Sequence, residues 1–203
     1  MIGLSSRWVR AAILVLPRQR NIVVASAAAI IFLAIAAIHF GVVFNYTHSA
    51  PFGLYREVSY RAAMAHDSAP YVFFCPDVRW PGMKGQPNYR DPMRSCSDGF
   101  APLIKPVAAW PGDTVEISAA GVAVNGHLLP HTTAIKRDSS GRRVLPCPPG
   151  KYLVQKNQLW VVSTFSPRSF DSRYFGPIPL NSVRSWVRPF LVERSYHDPS
   201  KAN

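Results

Sequence analysis

Three short stretches carry side chains suited to nucleophilic chemistry. Ser49 opens S-A-P-F-G-L-Y (49–55), five residues beyond a long apolar run. Pro51 and Gly53 mark a turn there, as they would in a plain linker. Lys105 lies in P-L-I-K-P-V-A-A-W (102–110), and S-F-D-S-R-Y-F-G-P (169–177) holds Ser169, Asp171 and Arg173. A lysine can serve as general base for a serine. Free lysine has a pKa of ~10.4 and is protonated at neutral pH. The base must therefore be desolvated, which can lower its pKa by up to ~3–5 units. From residue 45 onward the lysines are Lys84, Lys105, Lys136, Lys151, Lys156 and Lys201. Of these, Lys105 alone sits in an apolar strand pattern, with Leu103 and Val107 on its face at period two. A lysine that snorkels to water from an edge strand is the ordinary alternative. His48 adjoins Ser49, but neighbouring side chains in extended chain point opposite ways, so it is a poor base. The six histidines are dispersed and no zinc-type spacing occurs. Neither a metal nor a cofactor is expected.

The elements that must position these residues begin with the apolar run. Residues 22–44 carry no formally charged side chain, counting His39 as neutral. Twenty-three residues make a helix of about 34 Å, enough for a bilayer core of ~30 Å. The run is too long for the ~7–15-residue core of a cleaved signal peptide. Arg7, Arg10, Arg18 and Arg20 precede it without an acid, and residues 45–55 contain no charged residue. The positive-inside rule then predicts a cytoplasmic segment over 1–21, a membrane anchor over 22–44 and an exported domain over 45–203. In a bacterium that domain is periplasmic.

The 159 residues of 45–203 suffice for one domain with a real core. Strand signals dominate it: YVFFC (71–75), LIKPVAA (103–109), TVEI (114–117), VAV (122–124), KYLVQ (151–155), QLWVVS (158–163) and SVRSWVRPFLVE (182–193). VAV runs into Asn125-Gly126, a strong hairpin signal. A short helix fits within 56–66. Nineteen prolines and twelve glycines keep the pieces short. The expected fold is mainly β, an antiparallel domain behind one N-terminal transmembrane helix. Loops or insertions are expected at about 76–102 and 130–150, and a frayed tail at 195–203.

The net charge is +12, and removing the four N-terminal arginines leaves about +8 on the exported domain. The basic residues are scattered, with no helix-long stripe and no nucleic-acid motif, so no nucleic-acid partner is expected. For a tethered domain, attraction to anionic lipid headgroups is the simpler explanation. Cys75, Cys96 and Cys147 allow one disulfide and leave one thiol. Three pairings are open. Cys75–Cys96, which closes a Pro/Gly-rich loop, is preferred.

The three motifs in this order, behind an N-terminal anchor, resemble the type I signal peptidases, membrane-anchored Ser/Lys proteases. The S-x-P-x-G-L-Y form is most similar to the plasmid conjugative-transfer branch, the TraF-type pilin-processing peptidases. The likeness covers most of residues 40–190. It implies a signal-peptidase-like β fold, Ser49 as nucleophile and Lys105 as general base. It also implies an oxyanion hole built from the Ser49 backbone N–H, with Thr47 as a second donor. Ser169 would hold the lysine amine, and Asp171 and Arg173 would form an ion pair beside the site. The implied enzyme is a serine endopeptidase of the bacterial inner membrane. Its substrate would be a membrane-inserted precursor, pilin-like, with small residues before the cut. Water or an amine of the same pilin could resolve the acyl-enzyme, giving hydrolysis or cyclisation. Two features depart from the housekeeping enzymes. Ala50-Pro51 follows the serine where methionine is usual, and Ser163-Thr164-Phe165-Ser166 replaces Gly-Asp-Asn-Arg. Both argue against a general secretory signal peptidase. A non-catalytic, membrane-anchored assembly protein is the remaining alternative.

Overall fold

A computed structural model describes residues 17–65 and 70–193. Arg7, Arg10, Lys201 and the tail expected to fray over 195–203 lie outside the described residues. The chain divides into two compact units, one ending at Val42 and one beginning at Val43.

Helix α1 spans Pro17–His39. Proline suits the first turn of a helix, where its missing N–H has no partner to lose, and the alanine-rich stretch that follows favours helix. Its Ile22, Val23, Ile30 and Phe32 are exposed. The stretch Gln19–Ala37 is long and apolar enough to cross a membrane. Its limits differ from the expected 22–44. Arg18 and Arg20 already belong to the helix, and Val42–Phe44 leave it for a strand. Gly41 adopts φ +68°, a left-handed turn that ends helices, and the β-branched pair Val42-Val43 favours extended chain.

The remaining strands are β1 (Val42–Asn45), β2 (Gly53–Val58), β3 (Tyr71–Phe74), β4 (Leu103–Ala109), β5 (Thr114–Ser118), β6 (Gly121–Val124), β7 (His127–Leu128), β8 (Gly150–Leu153), β9 (Gln158–Val161), β10 (Ile178–Pro179) and β11 (Val183–Val192). Helices α2 (Tyr60–Met64) and α3 (Ser172–Phe175) are short. Seven strands form one sheet in the order β1-β2-β11-β3-β4-β9-β10, and four form a second in the order β7-β6-β5-β8. The pairings from β2 through β10 in the large sheet, and all those in the small one, are antiparallel. The domain is mainly β, as the strand pattern predicts.

β9 explains how the sheets share a core. Successive side chains of a strand point to opposite faces. Leu159 and Val161 enter one apolar cluster with Val72, Phe74, Val107 and Phe175. Trp160 and Val162 enter another with Val115, Ile117 and Val122 from the small sheet. A strand buried on both faces reads as the unbroken apolar run L-W-V-V (159–162). The Asn125-Gly126 turn joins β6 to β7, with both residues at positive φ as such hairpins require.

Residues 76–102 and 130–150 are loop-rich. Cys75–Cys96 forms the disulfide, leaving Cys147 as the free thiol among the described residues. Closing a loop of this size restrains the unfolded chain by ~3 kcal/mol in the chain-entropy account.

Candidate active site

The stretch around Ser49 is a folded turn between β1 and β2. Asn45, buried at the end of β1, organises it. Its amide donates to the carbonyls of Thr47 (3.2 Å), Ala50 (3.1 Å) and Pro51 (3.0 Å). Its carbonyl oxygen accepts from the Thr47 N–H (3.0 Å) and hydroxyl (2.7 Å). The Tyr55 hydroxyl also donates to the Pro51 carbonyl, at 2.8 Å. Ala50 and Tyr55 are fully buried and pack with Ile104 and Val187. Gly53 has φ +137°, and a Cβ there would lie 2.3 Å from the Leu191 carbonyl oxygen. The glycine of S-x-P-x-G-L-Y is thus required by the pairing of β2 with β11. Ser49 is partly exposed on this clamped turn.

Lys105 is 1% exposed, in the middle of β4 and opposite Val72 of β3. Leu103 and Val107 share its face and pack into one cluster, as the period-two reading predicts. The snorkelling alternative is therefore excluded. Its Nζ donates to the Ser169 Oγ at 3.0 Å. Burial pushes the lysine pKa down to about 7; the charge of Asp171 opposes this, and that of Arg173 adds to it. Those two charges are paired with each other and largely cancel, so desolvation decides the shift.

Asp171 and Arg173 are fully buried. Arg173 donates through Nε to Asp171 Oδ1 (2.8 Å) and through a terminal nitrogen to Oδ2 (2.9 Å), a bidentate pair. Asp171 also caps α3 by accepting from the Arg173 N–H at 3.1 Å. Arg173 further donates to the carbonyls of Ser169 (2.8 Å), Pro167 (3.1 Å) and His131 (3.3 Å). It thereby ties the segment carrying Ser169 to the start of the 130–150 loop.

Ser163 joins this frame to Ser49. Its N–H donates to Asp171 Oδ2 at 3.0 Å, and its hydroxyl donates to the Ser49 carbonyl at 2.7 Å. A continuous path thus runs from Ser49 through Ser163, Asp171, Arg173 and Ser169 to Lys105. No direct hydrogen bond joins Ser49 to Lys105 among the described residues. Thr47, expected as an oxyanion donor, gives its hydroxyl proton to Asn45. An oxyanion role would need that bond released. The Ser49 N–H makes no hydrogen bond among the described contacts and is available.

Two residues of this frame escape the sequence reading. Asn45 stands one residue beyond the apolar run with no motif of its own. Ser163 has a signal, since it opens the Ser-Thr-Phe-Ser stretch that departs from Gly-Asp-Asn-Arg. The hydroxyl absent from a glycine is the group that holds Ser49.

A cavity of about 180 Å³ opens beside Ser49, lined also by Tyr89, Ile135, Asp138, Ser139, Val144, Arg168, Phe170 and Tyr174. The expected loops over 76–102 and 130–150 supply Tyr89 and the Ile135–Val144 wall. The Tyr89 and Phe170 rings lie 5.0 Å apart, and the Tyr89 hydroxyl donates to Asp138 at 3.0 Å. No cluster of side chains suited to a metal ion occurs among the described residues.

Comparison with known proteins gives the chain's family. The signal peptidase family, peptidase S26, matches residues 18–191. A plasmid transfer protein TraF of Escherichia coli is 35% identical over 166 residues, covering 81% of this chain and 90% of that protein. A conjugal transfer protein TraF of Agrobacterium tumefaciens (strain 15955) is 36% identical over 162 residues, covering 79% of this chain and 88% of the relative. A crystal structure of a signal peptidase I from Enterococcus faecalis V583 aligns at 18% identity and a TM-score of 0.31, over 59% of this chain and 94% of that one. On the extent of the family match and of these relatives, the chain belongs to the signal peptidase family, peptidase S26.

Proposed function

We propose that the protein is a membrane-anchored serine endopeptidase of conjugative transfer, with Ser49 as nucleophile and Lys105 as general base. The observation that carries this reading is the burial of Lys105 with a single neutral hydroxyl partner, on the frame that grips the Ser49 backbone. A lysine so placed loses its proton as the pH rises through about 7, and the neutral amine can accept a proton. Substrate binding brings the Ser49 hydroxyl to the Lys105 amine, a contact that commonly tightens only in the complex. Lys105 takes the Ser49 proton as Oγ attacks the scissile carbonyl. The Ser49 N–H steadies the oxyanion, a donation worth a few kcal/mol in such sites. Lys105 then protonates the leaving amine, and water or an amine of the same substrate resolves the acyl-enzyme. Ser169 orients the amine, and Asp171–Arg173 supports the frame. Thr47 stays a reserve donor while Asn45 holds it.

The substrate in this reading is a membrane-inserted, pilin-like precursor with small residues before the cut. The TraF relatives, named for plasmid and conjugal transfer, favour that over general secretory precursors. In this reading the N-terminus lies in the cytoplasm and the domain in the periplasm, at the bacterial inner membrane and in contact with its lipid; the four arginines before the apolar run and the uncharged residues 45–55 after it support that orientation. The deciding experiment replaces Ser49 by Ala and Lys105 by Ala, each checked for folding by circular dichroism, and follows precursor processing and plasmid transfer. Both variants should fold and lose processing. Retained processing would mean that the motifs survive only as scaffold.

A further inference from the structure

The cavity beside Ser49 carries an unmatched positive charge. Its body is apolar, formed by Ile135, Val144 and Phe170. Two charged residues line it. Asp138 is satisfied within its own loop: its carboxylate accepts from Arg142 Nε at 2.7 Å, from the Tyr89 hydroxyl at 3.0 Å and from the Ser140 and Arg142 N–H groups at 2.9 Å. Arg168 is exposed, and among the described residues no carboxylate pairs with it.

The backbone that presents Arg168 is fixed on both sides. Arg173 donates to the carbonyl of Pro167 at 3.1 Å and to that of Ser169 at 2.8 Å, and Ser169 also receives the Lys105 amine. A free guanidinium thus projects from a rigid base into the cavity that Ser49 shares. Guanidinium geometry suits bidentate carboxylate binding. Extended peptide advances ~3.3–3.6 Å per residue, so a partner in the same cavity lies within about three residues of the bond facing Ser49.

We propose that Arg168 is a specificity-determining residue that pairs with an acidic side chain of the substrate within three residues of the scissile bond. The proposal rests on the Ser49 site described above and adds an acidic peptide as its substrate class.

The test uses the full chain in detergent with Ser49→Ala, so that binding is read without turnover. The probes are fluorescent, terminally capped alanine-rich decapeptides bearing one Glu, Gln or Lys at each of the three positions on either side of the central bond. For at least one position, the Glu peptide should bind about two- to five-fold more tightly than the Gln peptide, the range for partly exposed ion pairs. The gap should narrow at high salt, vanish in Arg168→Gln and reverse toward Lys in Arg168→Glu. Equal binding of Glu and Gln peptides at every position, including no binding, overturns the proposal. So does a Glu preference that survives Arg168→Gln. If Arg168→Gln weakens only binding to anionic lipid vesicles and leaves peptide preference unchanged, the charge serves the membrane and the proposal also fails. Cleavage of the same peptides by the protein with Ser49 intact is scored separately. Selective binding without cleavage would overturn the Ser/Lys mechanism and leave the Arg168 assignment standing.

Discussion

Arg173 and Lys105 are both buried to 1% exposure or less, but their surroundings oppose each other. Arg173, in α3, faces a carboxylate and a ring of backbone carbonyls. Lys105, in β4, has one hydroxyl. A buried charge with a full set of partners is scaffold, and removing its counter-charge leaves an uncompensated ion. A buried amine without a counter-charge sheds its proton instead. The α3 region therefore keeps a permanent charge and rigid geometry, and the β4 region keeps a titratable group. The same apolar packing produces both, and the placement of one carboxylate decides which is which.

The comparison is sharpened most by Lys105→Met. It should lower precursor processing by ~10²–10⁴-fold or more, the usual weight of a general base. It should also stabilise the fold. The folded lysine titrates near 7 and the unfolded one near ~10.4, so between these values the unfolded chain binds more protons. Stability of the protein with Lys105 therefore rises with pH across that window. Lys105→Met should be more stable by on the order of 1–3 kcal/mol near pH 6, with the gain fading toward pH ~10, as read by denaturant melts at several pH values. Activity of the lysine protein should rise through an apparent pKa of about 7, measured as processing rate against pH. A midpoint near that of free lysine would break the contrast.

Asp171→Asn attacks the other side. It strands the Arg173 charge in the interior and should destabilise the domain by about 3–5 kcal/mol, seen as an early denaturation midpoint. It is also expected to lower the Lys105 midpoint, because the Asp171 charge that raises it is lost and the Arg173 charge that lowers it stands uncancelled nearby. Ser163→Ala tests the link between the two regions and carries the smallest effect. It removes the hydroxyl's donation to the Ser49 carbonyl together with its acceptance from the Phe165 and Ser166 N–H groups, each such bond contributing about 0.5–1.5 kcal/mol of net stabilisation. A several-fold fall in processing should follow, rescued by Ser163→Thr, with the pH midpoint unmoved.

Much of the strand framework was legible because its signals are local. LIKPVAA is β4 residue for residue, Asn125-Gly126 turns β6 into β7, and the 182–193 pattern becomes β11. The S-x-P-x-G-L-Y motif concealed β2, since its second half pairs with β11 and only that neighbour reveals an extended strand. Helix α3 was missed because four residues are too few to show a helical period. Its start is set instead by the Asp171 cap.

By itself, the sequence determined that an apolar helix precedes a β domain, that one lysine has strand neighbours able to desolvate it, and that three motifs occur in the order of a known family. Periodicity and spacing act over a few residues, so the primary chain displays them. Tertiary structure alone decided that Lys105 meets Ser169 across 64 residues and that Ser163 grips Ser49 across 114. It also decided that Thr47 turns to Asn45, and that Arg168 shares a cavity with Ser49. These depend on which faces the two sheets bury together, and burial is a property of the packed domain.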